Sequence, residues 1–147
     1  MVSQIADIPA KKLTPPDLEL VNKELETLLS VRGALIAGLG NWKTGQCLAN
    51  AGRDADDFPN SRIETAIQYN SKVIKAKMRA ASALKLDEAI DDMMISLPKQ
   101  WHIIKFMSAQ DYFLYMALDR SEASIATVGF KLMQVKQKLS DLLTKYA

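Results

Sequence analysis

Three short apolar runs lie close together in the second half of the chain, at residues 93–97, 101–107 and 112–118, and only three or four residues separate them. Breaks that short cannot carry a helical crossover, so each run must fold back on the one before it. Pro98, Lys99 and Gln100 form the first turn, and Ser108, Ala109, Gln110 and Asp111 the second. An antiparallel meander of three strands is expected. Such a sheet needs other elements to cover its apolar side.

The first half supplies them. Thr14 can cap a helix, Pro15 suits its first turn, and Asp17 sits near its positive end. Leu18, Val21, Leu25, Leu28 and Leu29 follow at helical spacing, and Gly33 is expected to end the helix in a left-handed turn. Residues 34–39 are an apolar run next to glycines and read as a buried strand. Gly40 to Gly45 is a turn, and residues 46–51 return as a weaker strand, making a hairpin. After a polar loop, Asn60 or Ser61 is expected to cap a long middle helix that runs to about Leu84. The last helix carries the stripe Ile125, Val128, Leu132, Val135, Leu139, Leu142 and Leu143. The order is α-β-β-α-β-β-β-α. It predicts an α+β domain over 17–147, a five-stranded antiparallel sheet with helices on both faces, preceded by a loose arm at 1–16.

A chain of 147 residues suits one domain and buries about 70% of its unfolded surface. A net charge of +2 gives no strong pull toward nucleic acid. The single cysteine, Cys47, excludes an internal disulfide and reads as a small hydrophobe. The first residues lack a basic start and an apolar run, so no signal peptide is expected. No stretch nears the ~18 apolar residues of a membrane span. A reduced, cytoplasmic setting without membrane insertion is the expectation.

Catalytic chemistry finds little to stand on. A phosphate-binding loop needs Gly before Lys-Thr and a helix after it, whereas Lys43-Thr44 follows Trp42 and leads into a strand. His102 is the only histidine, so neither a His-rich metal site nor a supported triad is expected. Asp54, Asp56 and Asp57 are too few and too close for a Ca²⁺ loop. Asp87, Glu88, Asp91 and Asp92 read as a solvated junction that guards a sheet edge. A lone loop arginine, Arg53, reads as solvated rather than as a GTPase-activating residue. No catalytic residue, metal or cofactor is expected. An alternative reading is a small-molecule sensor of profilin- or GAF-like shape, with Met93, Met94, Met107 and Met116 lining an adaptable pocket.

The middle helix is the sharpest signal. At 100° per residue, Ile63, Ile67, Asn70, Ile74, Met78 and Ala81 share one face, suited to a sheet. Beside it lie Ala66, Tyr69, Val73, Ala76, Ala80, Ala83 and Leu84, while Lys72, Lys75 and Arg79 mark the wet side. The non-polar arc is wider than one sheet contact requires, and its small residues admit a second helix. Either the first or last helix of the same chain covers this stripe or a partner helix does; on the second reading Ala66, Tyr69, Val73, Ala76, Ala80 and Ala83 are the expected dimer interface. Trp42, at the hairpin tip between Asn41 and Lys43, either folds back on the core or anchors a partner.

Several joints resemble the roadblock family, of the dynein light chain roadblock type with a longin-like fold. Leu28-Leu29-Ser30-Val31-Arg32-Gly33-Ala34-Leu35-Ile36 looks like the family's helix end, glycine and first strand. The turn from Gly40 to Gly45 and the passage Asp119-Arg120-Ser121-Glu122-Ala123-Ser124 into the last helix are similar too. The resemblance covers roughly residues 17 to 140. Ser124 stands where the family usually has Asn, and the arm before the domain is longer than in minimal members. The resemblance implies a homodimer that pairs its middle helices and joins two five-stranded sheets edge to edge. It also implies a non-catalytic module that binds or regulates a small Ras-like GTPase, or scaffolds a larger complex.

Overall fold

The computed structural model describes residues 12–109 and 111–146. Helix α1 (Pro15–Leu29) leads into strands β1 (Ala34–Asn41) and β2 (Gln46–Gly52). A 3-10 turn (Asn60–Arg62) opens helix α2 (Ile63–Ala83). Strands β3 (Asp92–Ser96), β4 (Gln100–Phe106) and β5 (Tyr112–Asp119) follow, then helix α3 (Ile125–Thr144). The sheet order is β2-β1-β5-β4-β3, and every pairing is antiparallel. The expected α+β order and five-stranded sheet are both present. Helix α1 begins at Pro15, two residues inside the expected arm, and residues 1–11 of that arm lie outside the described residues.

Strand alternation sorts the core into two layers. Tyr112, Leu114, Met116 and Leu118 of β5 face α1 and α3, with Val21, Leu25, Leu132 and Val135. Phe113, Tyr115 and Ala117 face α2, with Ile63, Ile67 and Ile74. Helix α2 crosses very close to β1. A Cβ on Gly40 would stand 2.7 Å from Ile67 Cγ2 and 2.8 Å from Phe113 Cζ. Gly40, read from the sequence as the start of the hairpin turn, lies instead inside β1, where the helix rests on the sheet and leaves no room for a side chain.

Two joints differ from the sequence reading. Helix α1 stops at Leu29 with Ser30 as its C-cap, so Gly33 does not end it. Gly33 has φ +89° and takes the chain into β1, where a Cβ would meet Ala123 at 2.8 Å from its nitrogen. Asn60 does not cap α2, and the α2 N-cap position makes no side-chain bond. Instead Asn60 Oδ1 accepts from Asp54 N at 2.9 Å, and its Nδ2 donates to Gly52 O at 3.3 Å. The side chain closes the loop between β2 and the 3-10 turn.

The termini of the first and last helices are tied. Thr14 caps α1 by accepting from Asp17 N at 3.4 Å. Tyr146 donates its hydroxyl to Asp17 Oδ2 at 2.6 Å and accepts from Thr14 N at 3.0 Å. That hydroxyl bond, with Lys145 beside it, holds the Asp17 carboxyl below the usual carboxylate range. At the other end of the helix pair Ser124 caps α3, accepting from Thr127 N at 3.4 Å.

Candidate partner interface

Helix α2 shows two faces. Ile63, Ile67 and Ile74 are fully buried, and Asn70, Met78 and Ala81 are partly buried beside them. Ser71 joins this face unforeseen, buried with its hydroxyl donating to Ile67 O at 2.7 Å. The second stripe is open. Tyr69 is 58% exposed and Val73 43%, and Ala76, Ala80 and Ala83 are exposed, with Ala66 half-buried. Lys72 lies over the Tyr69 ring at 4.5 Å, which leaves that ring on the rim of the stripe. Lys75 is half-buried rather than on the wet side.

Strand β3 is the second open element. It sits at the sheet edge, with β4 on one side and, among the described residues, no strand on the other. Its centre reads Met93-Met94-Ile95, yet Met94 is 50% exposed and Ile95 37%. The acidic residues before this strand read from the sequence as the guard of a sheet edge, and the family resemblance implies sheets joined edge to edge; the structure identifies β3 as such an edge. The signal available was the acidic stretch before it and Lys99 after it, since charged residues at strand ends mark edges.

The hairpin tip is arranged around Asn41. Its Oδ1 accepts from Lys43 N at 2.9 Å and Thr44 N at 3.3 Å, which shapes the turn. Trp42 is half-buried against the α2-side core cluster. Lys43 is exposed and pairs with Asp111 at 3.3 Å. The tip and the α2 stripe are therefore built differently: the stripe projects into solvent, and the Trp42 ring leans on the core.

The other singled-out residues serve the fold. Arg53 Nε donates to Ala34 O at 2.7 Å, and its Nη2 donates to Leu29 O. The residue is exposed, as the sequence suggested, but its guanidinium also satisfies carbonyls at the end of α1 and the start of β1. His102 is half-buried on the α2 side of β4, held between the Tyr115 hydroxyl at 2.8 Å from Nδ1 and Gln100 Oε1 at 2.9 Å from Nε2. Burial pushes its pKa down, and burial also raises the Tyr115 phenol and the Cys47 thiol. Asp54 has φ +54°, and its carboxylate accepts from Asn60 N at 3.0 Å. Among the described residues no cluster of three His, Cys, Asp or Glu side chains could hold a metal ion.

The four methionines of the sensor alternative are dispersed. Met107 and Met116 are buried on the α1 and α3 side, Met93 is half-buried on the α2 side, and Met94 is exposed at the edge. They do not line one pocket. No helix among the described residues is long and apolar enough to cross a membrane.

Several solved structures share this arrangement over nearly the whole chain. The gliding protein MglB from Thermus thermophilus superposes with a TM-score of 0.79 at 18% identity, over 93% of this chain and 98% of that one. Myxococcus xanthus MglB gives 0.76 at 12% identity, over 93% and 97%. The chain has the roadblock fold. A roadblock/LC7 domain from Streptomyces avermitilis gives 0.72 at 11% identity, over 84% of this chain and 97% of that one. No protein-family model and no curated protein sequence matches the chain. The likeness is thus carried by fold and not by sequence. Among the described residues, the second α2 stripe, the β3 edge and the outward side of α3 each carry exposed apolar side chains.

Proposed function

We propose that this chain is a non-catalytic, cytoplasmic, homodimeric interaction module, one that binds and regulates a small Ras-like GTPase or scaffolds a larger assembly. The observation that carries the reading is the exposed apolar stripe of α2, with Tyr69 at 58% and Val73 at 43% exposure among small alanines. A stripe of that kind is costly to leave in water, and small side chains let a second helix approach closely. The β3 edge supports the same pairing. Its start carries Asp91 and Asp92, and the turn after it carries Lys99. A two-fold axis through the middle of β3 sets the acidic start of each strand near the basic end of the other. A parallel alignment would set like charges together. The likeness in fold to the two MglB proteins, one of them a gliding protein, fits an interaction module.

The test is oligomeric state followed by partner binding. Light scattering at tens of micromolar should give more than one chain per particle. Ala76→Arg with Ala80→Arg should remove the α2 pairing, because unpaired charges are costly to bury. A wild-type monomer, or a double variant with wild-type mass, rejects the dimer. The isolated protein should neither bind nor hydrolyse GTP, and micromolar binding in a calorimetric titration with GTP and Mg²⁺ would reject the non-catalytic reading. Small Ras-like GTPases from the same cell, loaded with GDP or a GTP analogue, should bind in one nucleotide state. Absence of binding to all of them leaves the scaffold role as the surviving form of the proposal.

A further inference from the structure

Helix α2 does not cover the whole of its side of the sheet. Glu64 and Gln68 turn toward β2. The Glu64 charge is felt at Cys47, and a Cβ on Gly45 would stand 3.9 Å from Gln68 Cγ. Asn70 meets the hydroxyl of Tyr115 on β5. Ala66, Val73 and Ala80 follow Asn70 round the helix, away from β2, so the open stripe overhangs β4 and β3. The sheet below the overhang is covered only in part. Met93 is half-buried and Ile95 is 37% exposed. His102, opposite Ile95 across the two strands, is half-buried. The open flank of the helix and the open edge of the sheet therefore share one recess, with the His102 ring in its floor.

The contacts of that ring suit its neutral form. The Tyr115 hydroxyl donates to Nδ1 at 2.8 Å, and Nε2 donates to Gln100 Oε1 at 2.9 Å. A second proton would remove the acceptor that the Tyr115 hydroxyl uses. The groups around the ring carry no charge to offset that proton. Strand β3 presents Ile95, β4 Gln100 and β5 Tyr115. The loop before α2 presents Phe58, with ring centroids 5.9 Å apart, and α2 presents Asn70 through the Tyr115 hydroxyl. Lys77, two turns beyond Asn70 on α2, is exposed and cationic, which disfavours a further positive charge. Past Gln100, at the end of the sheet, Asp57, Lys99, Asp119 and Arg120 line one cleft as two carboxylates and two cations.

We propose that His102 makes the pairing of two chains acid-sensitive: the chains pair with the ring neutral and separate as it takes up a proton. This rests on the α2 pairing put forward above. A partner helix laid on the stripe lies over the recess and removes water that would solvate an imidazolium. The stripe consists of Ala, Val and Tyr, so it brings no carboxylate in exchange. Burial already holds the ring below its ordinary 6.5 in the single chain, and pairing buries it further. By linkage, whatever lowers the pKa on pairing weakens pairing on protonation. A further drop of about one unit in each ring weakens a dimer by about a hundredfold once the free chains are protonated.

Sedimentation velocity on the full chain, at about pH 8 and about pH 5.5, gives the dissociation constant in each condition. The wild-type constant should rise at least about tenfold on acidification, and that of His102→Gln should stay within about twofold. A wild-type constant that does not change overturns the proposal and leaves the pairing standing. A rise as large in His102→Gln assigns the effect to other groups and overturns it too. A single chain at pH 8 rejects the pairing, and the proposal with it, so the two failures are told apart. If the glutamine variant does not fold, the wild type supplies a second reading. Dilution calorimetry near pH 6, in two buffers of different ionisation enthalpy, counts the protons taken up as dimers dissociate. Uptake of up to about one proton per chain is expected, and no uptake, or a release, overturns the proposal.

Discussion

Strands β5 and β3 are both apolar in sequence, and the sheet treats them in opposite ways. β5 lies in the middle, with β1 and β4 as neighbours, and Tyr112 through Leu118 are all buried. β3 lies at the edge, and of its five residues only Met93 is even partly buried. The side chains alone do not set this difference, since Met-Met-Ile is as apolar as Leu-Tyr-Met. Position in the sheet does. A central strand has both edges paired and both faces covered by helices. An edge strand has one row of backbone groups unpaired, and here its faces are thinly covered too. Apolar residues in the first setting stabilise the fold, and in the second they are free to stabilise an assembly.

The largest expected effect breaks the comparison if it fails. Phe113 is fully buried on β5 against the α2 layer. Phe113→Ala should cost about 3–5 kcal/mol, from lost burial and the cavity left behind. Met94→Ala on β3 should cost under about 1 kcal/mol in the unassociated chain, because half of that side chain is already in water. Urea unfolding in the Ala76→Arg, Ala80→Arg background measures both without linkage to assembly. Equal costs at the two sites would mean that β3 is as integral to the core as β5.

Two glycines sharpen the same contrast. Gly40 sits under α2, where a Cβ would stand 2.7 Å from Ile67 Cγ2 and 2.8 Å from Phe113 Cζ. Gly40→Ala should destabilise by about 1–3 kcal/mol through overpacking. Gly129 has open space around it and lies inside α3. Gly129→Ala should stabilise the unassociated chain by up to about 1 kcal/mol, since alanine restricts the unfolded chain and favours the helix. Thermal melts of the two variants in the same background give opposite signs. The same sign for both would remove the claim that α3 leaves its outward side free.

These sites also mark how far the sequence could be read. The meander was legible because its turns are too short for a crossover. The buried face of α2 was legible because Ile63, Ile67 and Ile74 keep helical spacing. Local pattern does not give the neighbour order β2-β1-β5-β4-β3; the acidic residues before the run at 93–97 hint at an edge, but the pairing that makes it one is set only by the folded sheet. Asn60 was read as a cap because Asn favours that position, but a loop that needed closing took its amide. Arg53 was read as solvated because carbonyls at the end of α1 and the start of β1 come near it only in the folded chain. The outward side of α3 was readable in part. Phe130 and Met133 fall off the buried stripe by helical angle, and large apolar residues off the stripe are a signal in themselves. The α2 stripe is legible as a surplus of apolar arc, and among the described residues no element covers it.

The smallest effect concerns the boundary between the two regions. His102 lies on β4, opposite Ala117 of β5 on one side and Ile95 of β3 on the other. Its ring accepts from the Tyr115 hydroxyl at Nδ1 and donates to Gln100 Oε1 at Nε2, the tautomer that both partners suit. Burial lowers its pKa in the folded chain below the ordinary 6.5. The folded state therefore prefers the neutral ring, and the unfolded state takes up a proton first as pH falls. Stability from this residue is fully present above the unfolded pKa of about 6.5. It is lost progressively as pH drops from there to the folded pKa, and below that no more is lost. As the only histidine in the chain, it should own the stability slope in that window. Asp17 and Asp119, whose folded pKa values are lowered, act below their ordinary 3.8, at more acidic pH. Urea midpoints taken every half unit from pH 8 to pH 5 should be flat above about 7 and should fall below about 6.5. His102→Gln should flatten the fall, because glutamine keeps a donor and an acceptor but does not titrate. A profile that falls equally in wild type and variant would move the slope to other groups. A profile that rises on acidification would mean that the protonated ring is the one the fold prefers. In that case the junction between centre and edge would be held by a charge and not by the neutral pair of hydrogen bonds.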